Sequence, residues 1–369
     1  MFIFIVVALS ILYFSHYFLY GSFVYFFRVS GLRARLILAA IFFLLPTSFI
    51  AVEVFGRHSA NRVFGTLFFS ATLWLGIGLT LMVFFAGAWV AWGATRLVTH
   101  SPSPVWFGCA AVALACVYSG YGVWNAYHPR ATEIRVQIKD LPSAWQGRKI
   151  VQISDVHLGH VLGADFMRRI VEMSNAQNPD LVVITGDLFD GADGSLAELV
   201  RPLNDLRASQ GIYFVTGNHE TYLGVDRAYA ALRTTPTRIL SDEMVILDGL
   251  QLIGVAYPER AFSRDIGEVV RQLPAFDPRT PSILLYHNPT RVGQARAAGV
   301  SLHLAGHTHK GQLFPIQIIS RLVYGKYYNG LHSENGFTIY TSSGAGTWGP
   351  TMRTGNRPEI AVIHLDKAG

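Results

Sequence analysis

Five short polar motifs between residues 154 and 309 could do chemistry, and each directly follows a run of apolar residues. Their Asp, His and Asn side chains are hard to borderline ligands, which suit manganese, iron, zinc or magnesium better than copper(I) or a thiolate-bound zinc. Seven candidate ligands are too many for one tetrahedral ion but suit two ions that share a carboxylate. The candidates are Asp155, His157, Asp187, Asn218, His287, His307 and His309.

A pair of metal ions explains what such a set could do. Two ions roughly 3.5 to 4 Å apart lower the pKa of a bridging water and clamp the oxygens of a phosphoryl group. The motifs therefore predict a dinuclear centre that hydrolyses a phosphoester or pyrophosphate bond by attack of a metal-bridging hydroxide. We expect manganese, with iron, zinc or magnesium as alternatives, because the ligand types permit all four.

The elements that must position these motifs are strands, since ligand sites in open α/β sheets form beyond the carboxyl ends of the strands. From about Thr132, β-branched runs alternate with helical stretches. The early alternation indicates a parallel sheet and the later helix-poor strands indicate antiparallel pairing, which predicts an α/β two-sheet sandwich flanked by helices. Predicted strands are 133–138, 149–154, 180–185, 212–216, 244–248, 250–256, 282–286, 302–305, 337–341 and 359–364, and predicted helices are 165–176, 196–207, 225–232, 265–272 and 290–298.

The N-terminal third differs in composition from the rest. The chain is 51% hydrophobic and only 15% charged, and residues 1–130 hold seven Arg, no Lys and one acid, Glu53. Because about 20 apolar residues suffice to cross a bilayer as a helix, we predict a transmembrane domain over 1–130 and a globular domain over 131–369. The predicted transmembrane helices are about 2–26, 35–54, 66–92 and 105–126. The first lacks a basic start and a small-residue cleavage site, so we expect it to stay attached.

Charge and cysteine content exclude other classes of protein. The net charge of +6 belongs to the N-terminal third, so the globular part is neutral and we expect no nucleic-acid binding. Cys109 and Cys116 provide neither a disulfide framework nor a thiolate metal site. His16, without an acidic partner in the other predicted spans, is interpreted as a packed residue rather than a proton relay. The arginines of the short loops do not decide the orientation in the membrane.

The order Asp-x-His, Gly-Asp-x-x-Asp, Gly-Asn-His-Glu, His, Gly-His-x-His resembles the calcineurin-like metallophosphoesterase superfamily over about residues 150–365. The stretch 180–187 and the tail 344–350, with Arg353 and 358–360, look like the bacterial membrane-associated branch. The resemblance implies an αββα metallophosphoesterase sandwich, hydrolase activity, two divalent metal ions per chain and an integral protein of the bacterial inner membrane.

The resemblance also implies roles for individual residues. One metal would be held by Asp155, His157 and His309. The other would be held by Asn218, His287 and His307, with Asp187 as the bridge. His219 would face the phosphate and protonate the leaving oxygen or stabilise the transition state, and Asp190 would orient it.

Three residues near the motifs depart from the pattern or match no ligand position. Lys310 stands where the branch usually has Gly, and we expect it to point into solvent or contact a substrate phosphate. His160 and His303 are expected to support the site or the structure.

Four spans are more than tethering requires, which favours membrane lipids as partners and a lipid or lipid-linked phosphoester as substrate. The segment 314–332 combines apolar and aromatic residues with Arg321 and Lys326, so it fits either an interfacial lip for acyl chains or an ordinary cap on the core. A soluble diester, including a cyclic nucleotide, is the enzymatic alternative, with the spans as an anchor. A catalytically inactive membrane sensor or scaffold is the alternative of another class.

Overall fold

The computed structural model describes residues 2–55, 62–98, 102–190, 195–258 and 264–369. Its N-terminal part contains four helices, each long and apolar enough to cross a membrane. They are α1 Phe2–Phe26, α2 Leu32–Phe55, α3 Arg62–Val98 and α4 Pro104–Ala126. The prediction of four apolar helices in this part is confirmed, and α3 is longer than its predicted range of 66–92.

His16 is buried among these helices as a packed residue and not as part of a proton relay. Its Nε2 accepts a hydrogen bond of 2.9 Å from the Trp74 indole, and its Nδ1 lies 2.8 Å from the Leu12 carbonyl oxygen. Because a carbonyl can only accept, Nδ1 carries the proton, and the ring is neutral with both nitrogens satisfied. The interpretation of His16 as a packed residue agrees with this geometry.

The globular part contains two six-stranded mixed sheets. The first has the order β1-β12-β2-β3-β4-β5 and the second β10-β11-β9-β8-β7-β6. The strands are β1 Arg130–Ile138, β2 Lys149–Ile153, β3 Leu181–Thr185, β4 Ile212–Val215, β5 Arg238–Ile239, β6 Glu243–Leu247, β7 Leu250–Gly254, β8 Ser282–Leu285, β9 Leu302–Ala305, β10 Gly330–Glu334, β11 Phe337–Thr341 and β12 Glu359–Lys367.

Seven shorter α-helices accompany the sheets in the described residues. They are α5 Ala164–Asn175, α6 Leu196–Val200, α7 Asn218–Leu223, α8 Val225–Leu232, α9 Ile266–Gln272, α10 Val292–Ala297 and α11 Ile316–Tyr324. One apolar core lies between the sheets, a second joins the first sheet to α5 and α8, and a third joins the second sheet to α9 and α10. These layers form the predicted αββα sandwich.

The pairing within the second sheet differs from the expectation of antiparallel strands. Its centre, β7, β8, β9 and β11, is parallel, and only the hairpins β6–β7 and β10–β11 are antiparallel. The crossovers that parallel strands need are short here: α9 and α10 have seven and six residues. Both helices were predicted, but they are so short that the later region was interpreted as poor in helices and therefore as antiparallel.

The chain groups into two compact units, Met1–Trp124 with Gly349–Thr354, and Asn125–Trp348 with Gly355–Gly369. Two glycines explain how the segment 349–354 fits among the helices. A Cβ on Gly76 of α3 would lie 2.6 Å from Met352 Sδ, and one on Gly122 of α4 would lie 2.6 Å from Thr354 Cγ2. The Arg353 amide also donates to the Gly122 carbonyl at 2.8 Å. The sequence analysis places these six residues in the domain 131–369, whereas their packing groups them with α3 and α4.

Candidate metal centre

The five polar motifs come together at the carboxyl ends of β2, β3 and β4 in the first sheet and of β8 and β9 in the second. Parallel strands end at the same edge of a sheet, so motifs far apart in the chain become neighbours. The Asp and His candidates fall into overlapping sets whose ligand atoms lie within 4.8 Å of one another. All of these side chains are buried except His307, which is partly exposed.

One set consists of Asp155, His157 and His309. The Nε2 atoms of His157 and His309 are 2.9 Å apart, and His309 Nε2 lies 3.5 Å from Asp155 Oδ1. His157 Nδ1 lies 3.2 Å from Asp190 Oδ1, which orients the ring and directs Nε2 into the set. Two imidazole nitrogens and a carboxylate oxygen therefore converge on one point.

The other set consists of Asp187, His287 and His307. His287 Nδ1 donates to the Thr185 carbonyl at 2.7 Å, which leaves Nε2 directed at the set. This Nε2 lies 3.0 Å from Asp187 Oδ2 and 3.2 Å from His307 Nδ1. Burial and the charge of His287 lower the pKa of His307 to about 3, which favours the neutral, metal-binding form of the ring.

Asp187 lies between the two sets. Its Oδ2 is 3.0 Å from His287 Nε2 and 3.9 Å from His157 Nε2. Burial raises the pKa of Asp187, but its contacts with His287 outweigh this and hold the pKa well below the usual range. Burial lowers the pKa of His287, but Asp187 outweighs it and raises the pKa to about 9. An ionised carboxylate placed between two ligand sets is the arrangement that a bridge requires.

Asn218 tests whether these residues fit a metal pair. Its side-chain Oδ1 is buried and has no hydrogen-bond partner among the residues that the structure describes. A buried amide oxygen without a partner costs free energy, and a divalent cation would satisfy it because amide oxygens are good ligands for hard cations. The donor set and this unpaired oxygen both fit a dinuclear centre.

The backbone of the site is strained where the ligands lie. Asp155, His157, Asp187, His307 and His309 all have positive φ angles, between 47° and 73°. Each such residue costs of order 1 kcal/mol or more, and strain of this kind clusters at functional sites.

Two glycines leave room for the carboxylates. A Cβ on Gly217 would lie 2.1 Å from Asp187 Oδ1, and one on Gly306 would lie 2.2 Å from Asp155 Oδ2. Only glycine permits these approaches, so both motif glycines are explained by close packing against the candidate ligands.

His219 and Asp190 lie beside the first set. The ring of His219 meets that of His157 edge-on, with centroids 4.5 Å apart, and its amide donates to Asp187 Oδ1 at 2.8 Å. Asp190 Oδ1 is closer to His157 Nδ1, at 3.2 Å, than to His219 Nδ1, at 3.6 Å. His219 also falls in a set with His157 and Asp187 that could hold an ion. Burial and the neighbouring His157 lower the pKa of His219.

The sequence analysis gave no role to Glu220, although it is the last residue of the Gly-Asn-His-Glu motif. Glu220 is fully buried, and its carboxylate accepts hydrogen bonds from the amides of Gly217, Asp187 and Phe189 at 2.6, 2.9 and 3.1 Å. Burial and the nearby Asp187 raise the pKa of Glu220 to about 7, while the amide donors favour the ionised form. One side chain thus joins the turn after β3 to the start of α7.

Aromatic residues also surround the site, and the sequence analysis gave Tyr222 and Tyr257 no role. Tyr222 and Trp348 lie edge-on to His219, with ring centroids 5.4 and 6.3 Å away, and both are largely exposed. Tyr257 and Tyr324 approach His307, at 6.3 and 5.8 Å. Tyr222 and Tyr257 carry no sequence signal, whereas Trp348 belongs to the tail motif 344–350 and Tyr324 to the segment 314–332. These rings give the polar site an apolar rim.

Three more residues near the motifs, His303, His160 and Lys310, lie outside the ligand sets. His303 is buried in β9 and its Nε2 donates to the Tyr286 carbonyl at 3.0 Å, while burial lowers its pKa to about 4. His160 is partly buried in the turn before α5. Lys310 is partly exposed and lines a cavity of about 660 Å³ with Asn356 and Arg357, and its carbonyl accepts from Asn356 Nδ2 at 3.2 Å.

Comparison with known proteins agrees with this geometry. Residues 148–311 match the family model described as calcineurin-like phosphoesterase. The chain is 30% identical over 264 residues to a metallophosphoesterase of Aquifex aeolicus. The matched region covers 69% of this chain and 99% of that protein. The chain therefore belongs to the calcineurin-like metallophosphoesterases.

Two other relatives are longer than the matched region. A metallophosphoesterase of Helicobacter pylori strain J99 is 37% identical over 223 residues, or 59% of each chain. A bovine protein described as a transmembrane protein with metallophosphoesterase domain is 36% identical over 277 residues, which is 70% of this chain and 62% of that one. The chain thus spans about three fifths of each of these relatives.

Proposed function

We propose that the protein is a membrane-integrated, metal-dependent phosphoester hydrolase with a dinuclear centre. The observation that carries the proposal is the pair of largely buried ligand sets that meet at Asp187, together with the Asn218 oxygen, which has no hydrogen-bond partner in the described part of the chain. Asp155, His157 and His309 would hold one ion, Asn218, His287 and His307 the other, and Asp187 both. When bound, two divalent ions activate water and neutralise charge on a phosphoryl group.

The remaining residues of the site would either act on the substrate or hold a ligand in place. His219 lies beside the first set, and its lowered pKa favours the neutral ring, which can donate a hydrogen bond to an oxygen of the substrate. After taking up a proton, the ring could instead protonate the leaving oxygen. Asp190, through its contact with His157, would fix the ring of that ligand. The exposed rings of Tyr222 and Trp348 would contact the group attached to the phosphate.

We further propose that the substrate is a lipid phosphoester or a lipid-linked pyrophosphate in the bacterial inner membrane. Four candidate spans support this, because one helix already anchors a protein effectively irreversibly. The apolar rim around the polar centre suits a substrate with an anionic group and an apolar body. Manganese remains the ion that we propose first.

The test is hydrolysis by the full chain purified in detergent, in the presence of manganese. A membrane lipid extract resolved by mass is compared with a soluble phosphodiester, and the control is Asp187→Asn. Loss of a lipid species with the wild type alone supports the whole proposal. Turnover of the soluble diester alone keeps the metal centre and refutes the lipid substrate. No turnover with manganese, iron or zinc refutes hydrolysis and favours a sensor.

A further inference from the structure

Helix α11 turns its apolar side outward. Ile318, Ile319, Leu322 and Val323 are 60, 56, 80 and 66% exposed, and the helix has no buried residue. Their spacing places them along one side of the helix. By contrast, α5 in the same unit buries Phe166, Met167, Ile170, Val171 and Ser174. A helix packed only as a cap on the core would have the opposite arrangement.

The polar side of α11 faces the protein. Gln317 and Ser320 are only partly exposed, and a Cβ on Gly355 would lie 1.3 Å from Gln317 Nε2. A Cβ on Gly311 would lie 2.6 Å from the Gln317 backbone, so the start of α11 packs closely on the Gly306–Gln312 motif. The orientation of the helix is therefore fixed by these contacts, and its exposed side is part of a built surface.

The exposed apolar residues of the globular unit are concentrated here. Among the described residues of that unit, nine large hydrophobic side chains are exposed, and five of them lie between residues 314 and 323. A contiguous apolar patch on a protein surface marks an interaction site. We therefore expect a partner to cover this patch.

Charge and aromatic content identify the partner as a lipid surface. The segment 314–328 contains Arg321 and Lys326 but no Asp or Glu; Lys326 pairs with Glu334 of β10, and Arg321 lies on the exposed part of the helix. Tyr324, Tyr327 and Tyr328 follow the apolar side, and aromatic rings of this kind are enriched at membrane interfaces. The chain also carries four helices able to cross a membrane, so a bilayer is already its environment. Apolar residues, tyrosines and cations without acids are typical of helices that lie in the interface of anionic membranes.

We propose that α11 is an interfacial helix whose apolar side, Ile318, Ile319, Leu322 and Val323, inserts into the surface of the bilayer. Tyr324 lies 5.8 Å from the ring of His307, and Thr308 Oγ1 donates to the Tyr328 carbonyl at 2.6 Å. The helix and the turn after it thus contact the loop that carries His307 and His309, and insertion of the helix would bring the metal centre to the level of the lipid head groups. This proposal does not depend on hydrolysis or on a lipid substrate, since a soluble diester could also be cleaved at that level.

The test measures the depth of α11 in the full chain. Cys109 and Cys116, the only cysteines, are replaced by Ala, and a single cysteine is introduced by Leu322→Cys and labelled with an environment-sensitive fluorophore. The matched control is Ile246→Cys on β6, which is exposed and apolar in the same unit. Both proteins are placed in nanodiscs of phosphatidylcholine and phosphatidylglycerol, with and without spin-labelled lipid.

We expect the probe at 322 to emit at shorter wavelength and to be quenched by spin-labelled lipid, while the probe at 246 is not quenched. Adding Ile319→Glu should reduce the quenching at 322, and Arg321→Gln should reduce it only in discs that contain phosphatidylglycerol. Equal emission and no quenching at both positions would overturn the proposal. A blue shift at 322 that persists in detergent and disappears on dilution would assign the patch to a second copy and would also overturn it. Turnover is not part of this readout, so an inactive protein can still support the proposal.

Discussion

Replacing Glu220 by Gln tests whether one buried carboxylate holds the metal centre together. Its Oε2 accepts from the amides of Asp187 and Gly217, and its Oε1 from the amide of Phe189. Gln has almost the same shape, but it offers one oxygen and one NH₂ group. If the oxygen keeps the two shorter bonds, the NH₂ group faces the Phe189 N–H, and two donors then oppose each other.

The expected loss of metal affinity follows from the energies of these hydrogen bonds. A hydrogen bond to a charged group contributes about 1.5 to 3 kcal/mol, and a buried donor left unsatisfied costs about 1 to 3 kcal/mol. If only about 1.5 kcal/mol of this stabilisation is lost and Asp187 is displaced as a result, the metal-binding equilibrium constant changes by about tenfold. Loss of a partner that orients a ligand typically costs about 10 to 100-fold in metal affinity. We therefore expect Glu220→Gln to weaken metal binding by about 10 to 100-fold.

The assay is metal content by mass spectrometry after dialysis against graded manganese, together with turnover of a soluble phosphodiester at the same concentrations. Excess manganese should restore much of the activity, because Glu220 contacts no substrate. Glu172→Gln on the exposed surface of α5 is the matched control and should behave as wild type. An unchanged metal midpoint for Glu220→Gln would refute the reasoning, and a loss of rate that manganese cannot restore would assign Glu220 another role.

Three further substitutions test separate parts of the structure. His219→Ala should keep close to two metal ions per chain and lower kcat by about 10² to 10⁴-fold, as for a general acid; loss of metal would instead make His219 a ligand. Gly217→Ala should reduce metal content, because its Cβ would lie 2.1 Å from Asp187 Oδ1, whereas Gly293→Ala in open space should not. The pKa of His303 is lowered from 6.5 to about 4, so the unfolded state binds more protons between these values and stability falls as the pH falls through this range. His303→Gln should remove about 2 kcal/mol of the stability lost between pH 7 and pH 5, measured by thermal unfolding in detergent; an unchanged pH dependence would contradict this.

The sequence predicted the parts of the fold that strong local patterns specify. The four candidate spans were predictable from long uncharged runs. Helix α8 and strand β9 begin and end at the predicted residues. The metal motifs were predictable because each follows an apolar strand. The turn Asn335–Gly336 between β10 and β11 has a hairpin sequence, and both residues have the positive φ, 50° and 80°, that a tight hairpin turn requires.

Other parts had no local signal. β5 has two residues, too few for any period. α7 has six, begins after Gly217, and depends on Glu220. Glu220 joins the turns after β3 and β4, which is visible only when both strands lie side by side. The amides of Asp187 and Phe189 that it binds precede it in the chain by 33 and 31 residues.

α11 shows why an apolar pattern alone does not identify the inside of a protein. Ile318, Ile319, Leu322 and Val323 have the spacing of an ordinary amphipathic helix, and this pattern fits a cap on the core as well as an interfacial lip. The structure decides through the other side of the helix, because Gln317 packs against Gly311 and Gly355 and leaves the apolar side exposed. In a chain with membrane spans the apolar phase lies both inside the fold and outside it. The direction in which a helix turns its apolar side is therefore set by the residues that anchor its polar side, and here one of them, Gly311, belongs to the loop that carries His307 and His309.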